Sequence, residues 1–137
     1  MSLHRLSALC SIAVVALAAP AVRADDKKDS ATPFVHTVIF YLKADAPSGV
    51  ADELVADCHN MLGKIPTVRM LRAGKPAEGS SGPTKKDYAV GLMILFDNAQ
   101  DFKTYADHPE HRKLVQKYLK YFEPTKLAIY DFVDAKK

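Results

Sequence analysis

Two stretches of this chain, residues 34–42 (FVHTVIFYL) and 88–96 (YAVGLMILF), are rich in β-branched and aromatic residues and carry apolar side chains on both faces of an extended strand. On the second, Tyr88, Val90, Leu92, Ile94 and Phe96 point one way, while Ala89, Met93 and Leu95 point the other. On the first, Val38, Phe40 and Leu42 oppose Val35, Ile39 and Tyr41. A sheet built from such strands is normally buried on both sides, and this requirement constrains the fold more than any other feature.

The segments between and around these strands supply one cover but not two. After the break at Asp45-Ala46-Pro47-Ser48-Gly49, the residues Val50, Leu54, Cys58, Met61, Leu62 and Ile65 recur at helical spacing, and Gly63 and Pro66 mark the end of that helix. Residues 67–73 read as a second strand, followed by the turn-rich loop AEGSSGPTKK. Asn98 can cap a second helix, with Asp101 three residues on in a weaker form of the capping box. That helix carries Phe102 and Tyr105, is interrupted at His108-Pro109, resumes through Leu114, Val115, Tyr118 and Leu119, and stops before Pro124. Residues 126–133 (KLAIYDFV) make a fourth strand. The order β-α-β-β-α-β predicts an α+β, ferredoxin-like domain: an antiparallel four-stranded sheet with both helices on one face. The other face then needs a second copy of the sheet, which gives a homodimer whose facing sheets form a shared barrel.

The first two dozen residues do not belong to that domain. His4 and Arg5 precede an acid-free apolar run from Leu6 to Ala19, too short to span a bilayer. Val22 and Ala24 place small residues before a cut at Asp25, so residues 1–24 read as a signal peptide and the protein as exported, to the periplasm or the medium. Residues 25–33 (DDKKDSATP) read as a disordered linker, 34–133 as the domain and 134–137 as a tail. Without residues 1–24 the chain keeps 17 basic against 16 acidic residues, a balance that implies no nucleic-acid partner. No later apolar stretch approaches membrane-spanning length. Cys58 becomes the only cysteine, so stability must come from packing rather than from an intrachain disulfide.

Several local motifs coincide with one family. His36-Thr37-Val38-Ile39-Phe40 in the first strand, Ile65-Pro66 before the second, Gly74-Lys75 after it and Tyr105-x-x-His108-Pro109-x-His111 in the second helical segment resemble the stress-responsive dimeric A/B barrel domain, across essentially all of residues 34–133. The resemblance implies a dimeric α+β barrel, a fold also seen in small monooxygenases and chlorite-dismutase relatives. A plant polyketide cyclase of the family uses a helix-borne tyrosine and histidine, which fall on Tyr105 and His111, and its strand histidine falls on His36. Its second tyrosine falls on Cys58, which cannot replace a phenol as a hydrogen-bond donor of the same reach.

Two functions follow from these residues. In the first, the protein is a stress-associated dimeric module whose cavity between helices and sheet holds a small apolar ligand, with His36 and His108 as ligand-binding residues. In the second it is a cofactor-free cyclase or lyase, in which His111 acts as general base and Tyr105 donates a hydrogen bond to a developing enolate oxygen. A purely architectural role is the counterpart of both: His108 capping the proline turn, His111 satisfying a buried carbonyl and Tyr105 filling core. Metal binding would combine His108, Glu110 and His111 with His36, but three convergent ligands are needed and only spacing across Pro109 suggests them, and no residue apart from these histidines recommends itself as a haem ligand, so neither metal nor other cofactor is expected. A cavity lined by Tyr105 and His111 with an open mouth favours the enzyme; a filled core favours the module.

Overall fold

A computed structural model describes residues 33–135, so the expected signal peptide, nearly all of the linker and the last two residues of the tail lie outside the described part. The strands are β1 (Phe34–Phe40), β2 (Met70–Gly74), β3 (Val90–Phe96) and β4 (Ala128–Val133); the helices are α1 (Val50–Asn60), α2 (Ala99–Asp107) and α3 (Pro109–Tyr118). They follow in the expected β-α-β-β-α-β order, with the second helix divided in two. The sheet has the order β2-β3-β1-β4, and each neighbouring pair is antiparallel.

The division of the second helix is local chemistry. Asn98 caps α2, its Oδ1 accepting from the Asp101 N–H at 2.9 Å. His108 then takes an extended conformation, the one favoured for a residue before proline, and ends α2. Its Nδ1 accepts from the Glu110 N–H at 3.2 Å, so the same residue that ends α2 caps α3, with Pro109 in the first turn where a missing N–H costs nothing. Gly49, at φ 92°, opens α1 from the left-handed region that favours glycine.

Strand ends differ from expectation where turns intervene. The second strand begins at Met70 rather than at 67, because the turn after Pro66 takes up the Val68 N–H, which donates to the Ile65 carbonyl. The first helix closes at Asn60 and a 3₁₀ turn, Leu62–Lys64, carries the apolar stripe on to Ile65.

Helices pack over β1, β2 and β3, burying Val90, Ile94 and Phe96 of β3 against Leu54, Cys58, Tyr105 and Tyr118. Register puts His36, Val38 and Phe40 on that same face, and carries Asp131 and Ile129 of β4 beside His36 and Val38. The opposite face presents Val35, Ile39, Met93, Leu95, Tyr130 and Phe132. Both faces of the sheet are therefore apolar, as the strand patterns demand, and the helices cover only one. Among the described residues no helix is long and apolar enough to cross a membrane.

Candidate functional site

Between the helices and the β1/β4 side of the sheet lies a cavity of about 330 Å³. Its walls come from every layer: His36, Val38 and Phe40 of β1, Tyr105 of α2, and His111 and Leu114 of α3. The fourth wall is the edge strand, through Ile129 and Asp131, with Leu127 just before it. Leu127 and Ile129 are also solvent-exposed, so the cavity opens along the β4 side.

Polarity changes along this slot. His36, Asp131, Tyr105 and His111 gather at one end, whereas Val38 and Ile129, and then Phe40, follow along the strands. From His36 to Phe40 is four strand residues, about 13 Å. Leu114, one helical turn beyond His111, continues the same change on the helix side. A ligand filling the slot would place a polar group among the histidines and an apolar body toward Phe40.

The polar end holds two imidazoles whose Nδ1 atoms are each engaged. His36 Nδ1 lies 2.6 Å from Asp131 Oδ1. A carboxylate can only accept, so this nitrogen carries the hydrogen and Nε2 is left for other partners. His111 Nδ1 lies 2.9 Å from the Ala106 carbonyl oxygen, and the same argument leaves its Nε2 as the other ring nitrogen. Burial lowers the His111 pKa below the ordinary imidazole range, with His36 and Arg112 acting in the same direction and the Ala106 hydrogen bond against it. At neutral pH His111 is thus a neutral imidazole with a basic Nε2.

Tyr105 sits between them, its ring centroid 4.7 Å from that of His111 and 6.2 Å from that of His36. It is 1% exposed. Burial, with Cys58 close by, holds its phenol well above the usual range, so the hydroxyl stays protonated and can donate. Cys58 itself is buried and its thiol is pushed up to about 12, which makes it packing rather than a nucleophile.

Of the four residues singled out in the sequence, His36, Tyr105 and His111 come together on one cavity. His108 does not: it is the cap between α2 and α3, its Nδ1 already occupied, and it is not part of the cavity wall. The bond of His111 to the Ala106 carbonyl and the cap made by His108 are the architectural roles expected of them, and for His111 that role coexists with a place on the cavity. Asp131 and Phe102 were not singled out. Asp131 had a signal, since it stands in phase with Ile129 and Val133 on the fourth strand, an acid on the face that should turn inward. Phe102, whose ring centroid is 5.0 Å from that of His36, looks in sequence like any helix core residue. No three His, Cys, Asp or Glu side chains among the described residues converge on a metal-ion position.

This fold and site define a class, the ferredoxin-like α+β domains with a cavity between helices and sheet. The chain belongs to the stress responsive A/B barrel domain family, which matches residues 34–134. A ferredoxin-like protein of the same family from Mesorhizobium loti is 25% identical, with 76% of this chain and 98% of that chain covered and a TM-score of 0.61. A dimeric ferredoxin-like protein of unknown function from Thermobifida fusca is 15% identical over 76% of this chain and 92% of that one, with a TM-score of 0.63. The hydroxynitrile lyase of Passiflora edulis is 14% identical over 77% and 95%, with a TM-score of 0.65, a likeness of fold. Among curated proteins no match was found.

Proposed function

We propose that the protein is a homodimeric, cofactor-free enzyme of the lyase or cyclase type that moves a proton on a small, mostly apolar carbonyl compound. The observation that carries this reading is the open cavity with a neutral, partly buried imidazole on its wall, its Nδ1 tied to the Ala106 carbonyl and its Nε2 unspent. His111 Nε2 takes a proton from the carbon beside the carbonyl; the C–H electron pair becomes the enolate double bond and the carbonyl electrons move to oxygen. Tyr105 donates a hydrogen bond to that oxygen as its charge grows, in surroundings of low dielectric where such a bond is strengthened. Asp131 holds the His36 ring beside the same space. In the cyclase outcome the enolate carbon attacks a second carbonyl of the same compound, forming the ring bond, and the proton on His111 passes to the alkoxide so made; in the lyase outcome the enolate expels a leaving group from the next carbon, and that group departs with the bond's electron pair and takes the proton. The simpler module, which binds such a compound without changing it, needs the cavity alone; the unspent imidazole nitrogen on the cavity wall favours the enzyme.

The test is exchange of the α-hydrogens of 2-heptanone for deuterium, followed by NMR, with wild type, His111→Ala and Tyr105→Phe. General-base catalysis is worth roughly a hundred- to ten-thousandfold in rate, and His111→Ala is expected to remove that much while the dimer stays folded. Loss of thermal stability with unchanged exchange overturns the reading, because the role of His111 is then confined to its Ala106 bond.

We also propose that the protein acts outside the cytoplasm. The acid-free apolar run followed by Val22 and Ala24 supports this. The exported protein is expected to begin at Asp25, and N-terminal sequencing that still finds Met1 on it excludes the cut.

A further inference from the structure

β4 is an edge strand that serves two structures at once. On the helix side it supplies the cavity wall, through Ile129, and the carboxylate that holds His36, through Asp131. On the other side it supplies Tyr130 and Phe132, in register with Thr37 and Val35 of β1 and, beyond them, Met93 and Leu95 of β3. Within the protomer β4 is held by its pairing with β1 and by the His36–Asp131 bond. It is an edge strand with a single ladder, to β1. Ile129, Tyr130, Phe132 and Val133 are each more than half exposed. An edge strand with that much apolar surface in water is a place where local opening is cheap.

We propose that a second copy of this chain is what holds β4 in place, so that the cavity wall and the His36–Asp131 bond form together with the dimer. The inference rests on the homodimer proposed above. The second copy is the occupant because Val35, Ile39, Met93, Leu95, Tyr130 and Phe132 make the far face predominantly apolar from β3 through β1 to β4, with Thr37 the one polar side chain of those three strands on it, and because relatives of the same fold are dimers. Docking that face removes Tyr130 and Phe132 from water, and a strand pinned on its far side presents Asp131 and Ile129 on its near side in a fixed position. Ligand binding and dimerisation are then linked, and each strengthens the other by the same factor. Activity per protomer falls when the dimer is diluted into monomers, without any change in the residues of the site.

The experiment separates this linkage from the dimer itself. The substitution Leu95→Asp falls on β3, on the far face, where Leu95 is paired with Val35 of β1 and Met70 of β2, and Leu95 does not line the cavity. The variant's oligomeric state is read by sedimentation, β4 by amide hydrogen exchange, and the site by the proton resonance of His36 Nδ1–H bonded to a carboxylate. The expected result is a monomer in which β3 amides remain protected, β4 amides exchange at least about tenfold faster than in wild type, and the His36 resonance is lost. A folded monomer that keeps both β4 protection and the His36 resonance overturns the linkage and leaves the dimer standing. A wild type that sediments as a monomer overturns both. Should Leu95→Asp not fold, wild-type exchange is followed across the concentrations at which sedimentation detects monomer and dimer together; β4 rates that do not change with concentration overturn the proposal.

Discussion

β3 and β4 are written in the same alphabet and meet opposite fates. VGLMILF and AIYDFV are both dominated by apolar, β-branched and aromatic residues, with Asp131 the one charge between them, and both read as strands. β3 is flanked by β2 and β1, lies under α1 and α2, and buries Val90, Ile94 and Phe96 completely. β4 pairs with β1 alone, and Tyr130 and Phe132 stay 59% and 53% exposed. Hydrophobicity thus decides that a segment becomes a strand, whereas position in the sheet decides what the strand's side chains do for stability. Where the apolar pattern exceeds what one protomer can bury, the excess marks surface meant for something else.

The largest expected effect tests that difference directly. Phe96→Ala should destabilise the folded protomer by about 3–5 kcal/mol, since the ring is fully buried and touches Phe34, Phe102 and Tyr105. Phe132→Ala removes an identical side chain from the edge strand. Its expected cost to a protomer is far smaller, and its effect should appear instead in the dimer dissociation constant. Urea unfolding and sedimentation of the two variants check the pair; equal losses of protomer stability would erase the distinction between the strands.

The smallest effect concerns pH and contrasts an inward histidine with the exposed edge. Because burial lowers the pKa of His111 in the folded state, the unfolded chain binds a proton that the folded site refuses. Stability from this group is fully present above the unfolded value, about 6.5, and is lost as pH falls through that value toward the lower folded one. Thermal midpoints of wild type and His111→Gln should therefore converge on acidification through this window. A constant separation between them would place the protonation of His111 outside the folding balance. The slope cannot exceed one proton per protomer.

Much of this was legible in the chain. The break at His108-Pro109 was readable because proline restricts the residue before it, and the structure makes that residue a cap for both helices. The triad of His36, Tyr105 and His111 was readable through its spacing and the family motif, and it does share one cavity. Asp131 is the instructive omission. Its partner is 95 positions away, and nothing local says that a carboxylate on the last strand meets a histidine on the first. Only the antiparallel pairing of β1 with β4 sets His36 opposite Asp131. His108 errs the other way, since a histidine in the motif of a candidate site spends its ring nitrogen on the Glu110 N–H.

The sequence by itself determined the elements, their order and the need for two covers, because periodicity, capping and the steric bias against helical geometry before proline act within a few residues. Tertiary structure alone decided which apolar strand is central and which is the edge, which histidine faces a cavity and which a backbone N–H, and that a 2.6 Å bond closes between the two ends of the domain. Those outcomes depend on which strands pair and in what register, and a shift of one residue would turn Asp131 to the far face and Tyr130 or Phe132 into the cavity.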